Sequence, residues 1–85
     1  MTLEELRKDI DTVDARLVRD LCERFALVDA VGTVKKEAGI AVRDAGREQA
    51  VLDKVRALAG EIYGDGVTML YKELFALARA REERK

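Results

Sequence analysis

The chain has 85 residues, enough for one domain spanning 1–85, with 16 basic and 17 acidic side chains and a formal net charge of −1. That balance argues against nucleic-acid binding, which shows a clustered basic excess, and no apolar run approaches the roughly eighteen residues of a membrane span. With no histidine and one cysteine, Ser-His-Asp and Cys-His catalysis, His-based zinc sites and an intramolecular disulfide are excluded.

Thr2 is a suitable N-cap, with Glu4 and Glu5 in the favoured first turn. Apolar residues then recur at Leu3, Leu6, Ile10, Val13, Leu17, Leu21, Val28 and Val31, the spacing of one helix face. The pattern predicts a first helix to about Ala38, stopped by Gly39. Residues 39–44 read as a short connection, with Asp44 capping a second helix that carries Val51, Val55, Leu58 and Ile62 on one face. Gly60, Gly64 and Gly66 break that pattern, and Asp65 can cap a third helix from about Val67, with Leu70, Leu74, Leu77 and Ala78 inward. The charged end, Arg81 to Lys85, reads as a fraying tail. Alternation with period two is nowhere sustained, so no strand is expected.

The expected fold is all-α: three helices, the first long. A helix of more than thirty residues extends roughly 50 Å, further than so short a chain can cover by itself. Periodicity sustained past about 25 residues points to a coiled coil or an intertwined oligomer. A homodimeric bundle with a shared core is therefore expected. The start, directly in a helix, points to the cytoplasm.

Two cations interrupt the apolar stripe. At about 100° per residue, Arg24 and Lys35 project within roughly 20° of Leu6 and Leu17. A cation there loses water at a cost of several kcal/mol unless an anion compensates. Asp20 or an acid on another helix would supply it from within the fold; otherwise a small dianion would. Arg47 flanks the apolar face of helix two, where the helix dipole disfavours a cation, and either points inward, is solvated, or pairs with Asp44 or Glu48. Arg7 lies about 100° from the stripe centre, so it is a surface residue or reaches a neighbouring subunit. Cys22 lies opposite the stripe and reads as an inert small residue. There is no glycine-rich phosphate loop. An enzyme built from these residues would use neither a conventional nucleophile nor a metal-activated water, and no cofactor or metal is expected.

The run Leu6-Arg7-Lys8-Asp9-Ile10-Asp11 with Asp14 and Leu17, then Glu23-Arg24, Gly32 and Lys35, then Val42-Arg43-Asp44-Ala45-Gly46-Arg47-Glu48, resembles the all-helical class of chorismate mutases. The resemblance covers nearly the whole chain, and its most specific part is the register of these blocks. It implies an intertwined three-helix homodimer that converts chorismate to prephenate in phenylalanine and tyrosine biosynthesis. Arg24, Lys35, Asp44, Arg47 and Glu48 would come from one chain and Arg7 from the other. The two arginines Arg24 and Arg7 would clamp the substrate's carboxylates, and Lys35 would donate to the ether oxygen. Glu48, with the Asp44 region, would bind the ring hydroxyl, and Arg47 would complete the polar wall.

The last helix departs from the family pattern. Ala78 falls where a serine is common and Glu82 where a glutamine is common. The glutamine donates to the ether oxygen, and a carboxyl can do so only when protonated. Activity favouring mildly acidic pH is therefore expected, unless Glu82 lies in the frayed end and touches nothing. Rival readings are an isochorismate-pyruvate lyase or an aminodeoxychorismate mutase on the same scaffold, and a non-catalytic helical dimerisation module. Dependence on a partner enzyme of the same pathway stays open.

Overall fold

The computed structural model describes all 85 residues as two helical elements joined by a short connection. Helix α1 spans Leu3–Ala38 and α2 spans Ala45–Glu83. The all-helical expectation holds, but the count of helices does not: one element continues where a second and a third were expected.

The caps show why the chain turns where it does. Thr2 Oγ1 accepts from the Glu5 amide at 3.1 Å, satisfying one of the donors left free at a helix start. Gly39 closes α1 at φ 66°. The Ile40 amide donates to Lys35 O and the Gly39 amide to Lys36 O, the paired bonds of a Schellman motif. Asp44 Oδ1 then accepts from the Arg47 amide at 2.9 Å and opens α2.

Of the three glycines expected to end the second helix, only Gly60 leaves helical geometry, at φ 80° and ψ 178°, a conformation open to glycine and strained for other residues. The chain bends there, and residues 45–59 fold back against 61–83. The Glu48–Arg79 and Arg56–Asp65 ion pairs, at 2.7 and 2.6 Å, tie the two arms. The second arm starts at 61 rather than 67, and Asp65 holds Arg56 instead of capping a helix.

The C-terminal half of α1 packs against the second arm of α2. Gly32, Val55, Gly64, Thr68, Phe75, Ala78 and Glu82 are the buried residues. The expected fraying tail is a correction: α2 stays helical to Glu83. Arg81 grips Asp29 through two hydrogen bonds of 2.8 and 2.6 Å, and its guanidinium lies 5.6 Å over the Phe25 ring.

The other half of α1 has no partner within the chain. Every residue from Met1 to Asp20 is exposed, including the stripe Leu3, Leu6, Ile10, Val13 and Leu17. Leu58, Ile62, Leu70 and Leu77, expected inward, are exposed too, Ile62 at 86%. The chain extends 54 Å in its longest direction and only 15 Å in its shortest. No helix is long and apolar enough to cross a membrane.

Candidate active site

The joined halves of α1 and α2 enclose a hollow of about 140 Å³. From α1 come Arg24, Val28, Val31 and Lys35, from the connection Val42 and Asp44, and from the two arms of α2 Arg47, Glu48, Val51, Phe75, Ala78, Arg79 and Glu82. Seven of the eight residues singled out from the sequence therefore meet around one space: Arg24, Lys35, Asp44, Arg47, Glu48, Ala78 and Glu82. Arg7 does not. It lies exposed on the unpartnered half of α1, away from this pocket.

Arg24 and Lys35 solve their desolvation problem differently. Lys35 Nζ donates to the Val42 carbonyl and lies 2.9 Å from Glu82 Oε1. That second contact is an ion pair without hydrogen-bond geometry, so Oε1 is buried with no hydrogen-bond partner. Arg24 has no ion pair, with Asp20 or any other acid. Its Nη1 is buried and makes no hydrogen bond. The guanidinium lies 5.4 Å from the centre of the Tyr71 ring, and Tyr71 meets Phe75 edge to face at 6.1 Å. A ring face attracts a cation but leaves its N–H donors unused. A buried donor without an acceptor costs about 1–3 kcal/mol, so Arg24, which lines the hollow, lacks the anion its setting calls for.

The remaining charges sort by partner. Glu48 accepts from Arg79 at 2.7 Å, and Asp44 is engaged as the cap of α2. Arg47, exposed at the pocket rim, has no carboxylate partner, contrary to the alternative in which Asp44 or Glu48 neutralises its side chain. The pocket thus holds four cations and three acids, two of the cations unpaired. Its valines and Phe75 give it apolar walls, against which charge interactions are less screened than in water.

Sequence reasoning missed Arg79, Phe75 and Tyr71. Arg79 stands three residues before Glu82 and four after Phe75, so all three share a helix face. That spacing was available as a signal, but its partner Glu48 lies 31 residues away.

Two long helices closing on a small, apolar-walled pocket with spare positive charge define a helical protein suited to holding a small anion. The family described as "Chorismate mutase type II" matches residues 6–83, and the chain belongs to that family. It is 30% identical over 87 aligned positions to a bifunctional chorismate mutase/prephenate dehydratase of Aquifex aeolicus, covering 96% of this chain and 24% of that protein. It is 36% identical over 59 positions to a chorismate mutase of Methanocaldococcus jannaschii, covering 69% of this chain and 60% of that one. The chain thus spans about a quarter of the first relative and three fifths of the second. No solved structure matches it.

Proposed function

We propose that this chain rearranges chorismate to prephenate, as an isomerase of aromatic amino acid biosynthesis. The observation that carries the reading is Arg24, which lines the hollow together with Lys35 and has a buried guanidinium nitrogen with no hydrogen-bond partner. Chorismate is a dicarboxylate, and planar guanidinium groups bind carboxylates in two-pronged fashion.

The reaction is intramolecular. It breaks one C–O bond and forms one C–C bond without a covalent intermediate or an obligatory proton transfer. The protein must fold the side chain of the substrate over its ring and stabilise charge at the breaking bond, which positioning and preorganised electrostatics supply. Arg24 takes one carboxylate. Lys35 donates to Val42 O and is ion-paired with Glu82 in the free protein; an ammonium has three donors, so it can still donate to the ether oxygen. Glu48, held by Arg79, accepts from the ring hydroxyl, with Asp44 behind it. Arg47 closes the polar rim. Ala78 leaves room and offers no donor. Glu82 lies where an amide would donate to the ether oxygen, and a carboxyl can do so only when protonated.

The second carboxylate falls to Arg7 of a second copy. The exposed stripe from Leu3 to Leu17 supports that assembly, because apolar surface of this length calls for a partner. A homodimer whose α1 helices lie together would cover the stripe and carry Arg7 toward the neighbouring pocket. We read 1–85 as one such domain, without metal or cofactor and acting in the cytoplasm.

Loss of chorismate absorbance on mixing with purified protein, together with the appearance of prephenate, tests the reading. Turnover of isochorismate or aminodeoxychorismate in place of chorismate would reassign the substrate. Inertness toward all three would leave a helical dimerisation module.

A further inference from the structure

The one buried residue of α1 is Gly32, and no step above uses it. Glycine is the poorest helix former after proline, so its place inside a long helix calls for a reason. A Cβ at position 32 would stand 2.9 Å from Cα of Glu82 and 2.8 Å from Cγ of Lys85. The lysine side chain can rotate away. The Glu82 contact is with backbone, which no change of rotamer relieves.

Gly32 and Lys35 are three residues apart and share a face of α1. Glu82 leaves α2 against Gly32, and its carboxylate reaches along α1 to Lys35, 2.9 Å away. We propose that Gly32 is a positioning residue: the missing side chain lets the last turn of α2 close on α1, and that approach sets the Lys35–Glu82 end of the pocket. The inference rests on the reading above, in which that end meets the breaking bond.

An alanine would have to push α2 away by at least about half an ångström to restore ordinary contact. A shift of about 1 Å at a preorganised site costs about a hundredfold in rate. Gly32→Ala should therefore lower kcat about tenfold. KM should change by less than about threefold, because Arg24, which holds a carboxylate, lies about two turns away.

The test is steady-state kinetics with chorismate on the unsubstituted protein, Gly32→Ala, Glu82→Ala and the double variant, with helix content followed by circular dichroism. Acting through Glu82, the alanine costs little further rate once the carboxyl is gone, so the two effects fall well short of adding. Full kcat in Gly32→Ala overturns the proposal. So does an equal loss in the presence and absence of the Glu82 carboxyl, and so does a fall in helix content that accounts for the lost rate. Lys35→Ala serves as the separate check: if it is inactive while Gly32→Ala is fully active, the proposed function stands and the role of Gly32 falls. No turnover by the unsubstituted protein removes both.

Discussion

Lys35 and Glu82 face each other at 2.9 Å across the helix interface, 47 residues apart in the chain. The contact puts an acid where the family pattern has an amide, beside the proposed ether-oxygen donor. An ionised carboxyl can only accept, so Glu82 orients Lys35 but offers the ether oxygen no donor of its own.

Glu82→Gln should keep an acceptor beside Lys35 and add a permanent donor. At neutral pH kcat/KM should rise by about tenfold, a fraction of what one preorganised donor can supply. Steady-state kinetics of both proteins at neutral pH check this, and equal kcat/KM values would rule it out.

Arg24→Ala should lower kcat/KM by at least two orders of magnitude, about 3 kcal/mol of transition-state stabilisation. Arg24→Lys should recover little, because an ammonium cannot reproduce a two-pronged grip. Helix content should survive in both, since Arg24 ties no two parts of the fold by an ion pair. Kinetics and circular dichroism on the same samples give the answer.

Arg7 tests the shared site. Arg7→Ala and Arg24→Ala should each be nearly inactive as homodimers. Mixed, unfolded and refolded together in equal amounts, they should regain roughly a quarter of the unsubstituted activity, because half the dimers then carry one complete site. Absence of recovery, with mixed dimers demonstrated by mass, would place Arg7 outside the site.

The Asp29–Arg81 clamp carries a pH signature. The hydrogen bonds from Arg81 hold the Asp29 carboxyl below the usual carboxylate range, opposed by its partial desolvation. A group whose folded-state value is depressed contributes stability above its unfolded value and loses it as pH falls through the folded one. Asp29→Asn should therefore melt a few degrees below the unsubstituted protein at neutral pH, with the gap closing as pH falls below the carboxylate range. Thermal unfolding at a series of pH values measures the gap, and one constant with pH would contradict the assignment.

Much of α1 and the start of α2 are readable because their cues are local: the stripe from Leu3 to Val31, the Thr2 cap and Gly39 with its positive φ for α1, and the Asp44 cap for α2. The boundary within α2 was not. Gly60, Gly64 and Gly66 look alike in sequence, but only Gly60 turns the chain. Gly64 stays helical, lies against the Arg56 side chain and accepts from the Thr68 hydroxyl, so tertiary packing outweighs its poor propensity. The charged end was misread for a related reason. Composition makes Arg81 to Lys85 a solvated tail, yet Arg81 finds Asp29 52 residues away, and Gly32 leaves room for Glu82. Long-range partners of this kind leave no trace in local spacing. Arg24 and Lys35 were legible because each contradicts the apolar stripe it sits in.

In the proposed function, the buried and unpartnered Nη1 of Arg24 is kept for a dicarboxylate substrate. Calorimetric titration with a stable dicarboxylate analogue of the rearrangement's transition state tests this most directly. Saturable binding is expected, one ligand per chain, weakened at least about a hundredfold by Arg24→Ala. Equal affinity in the two proteins, or no binding to either, would contradict it.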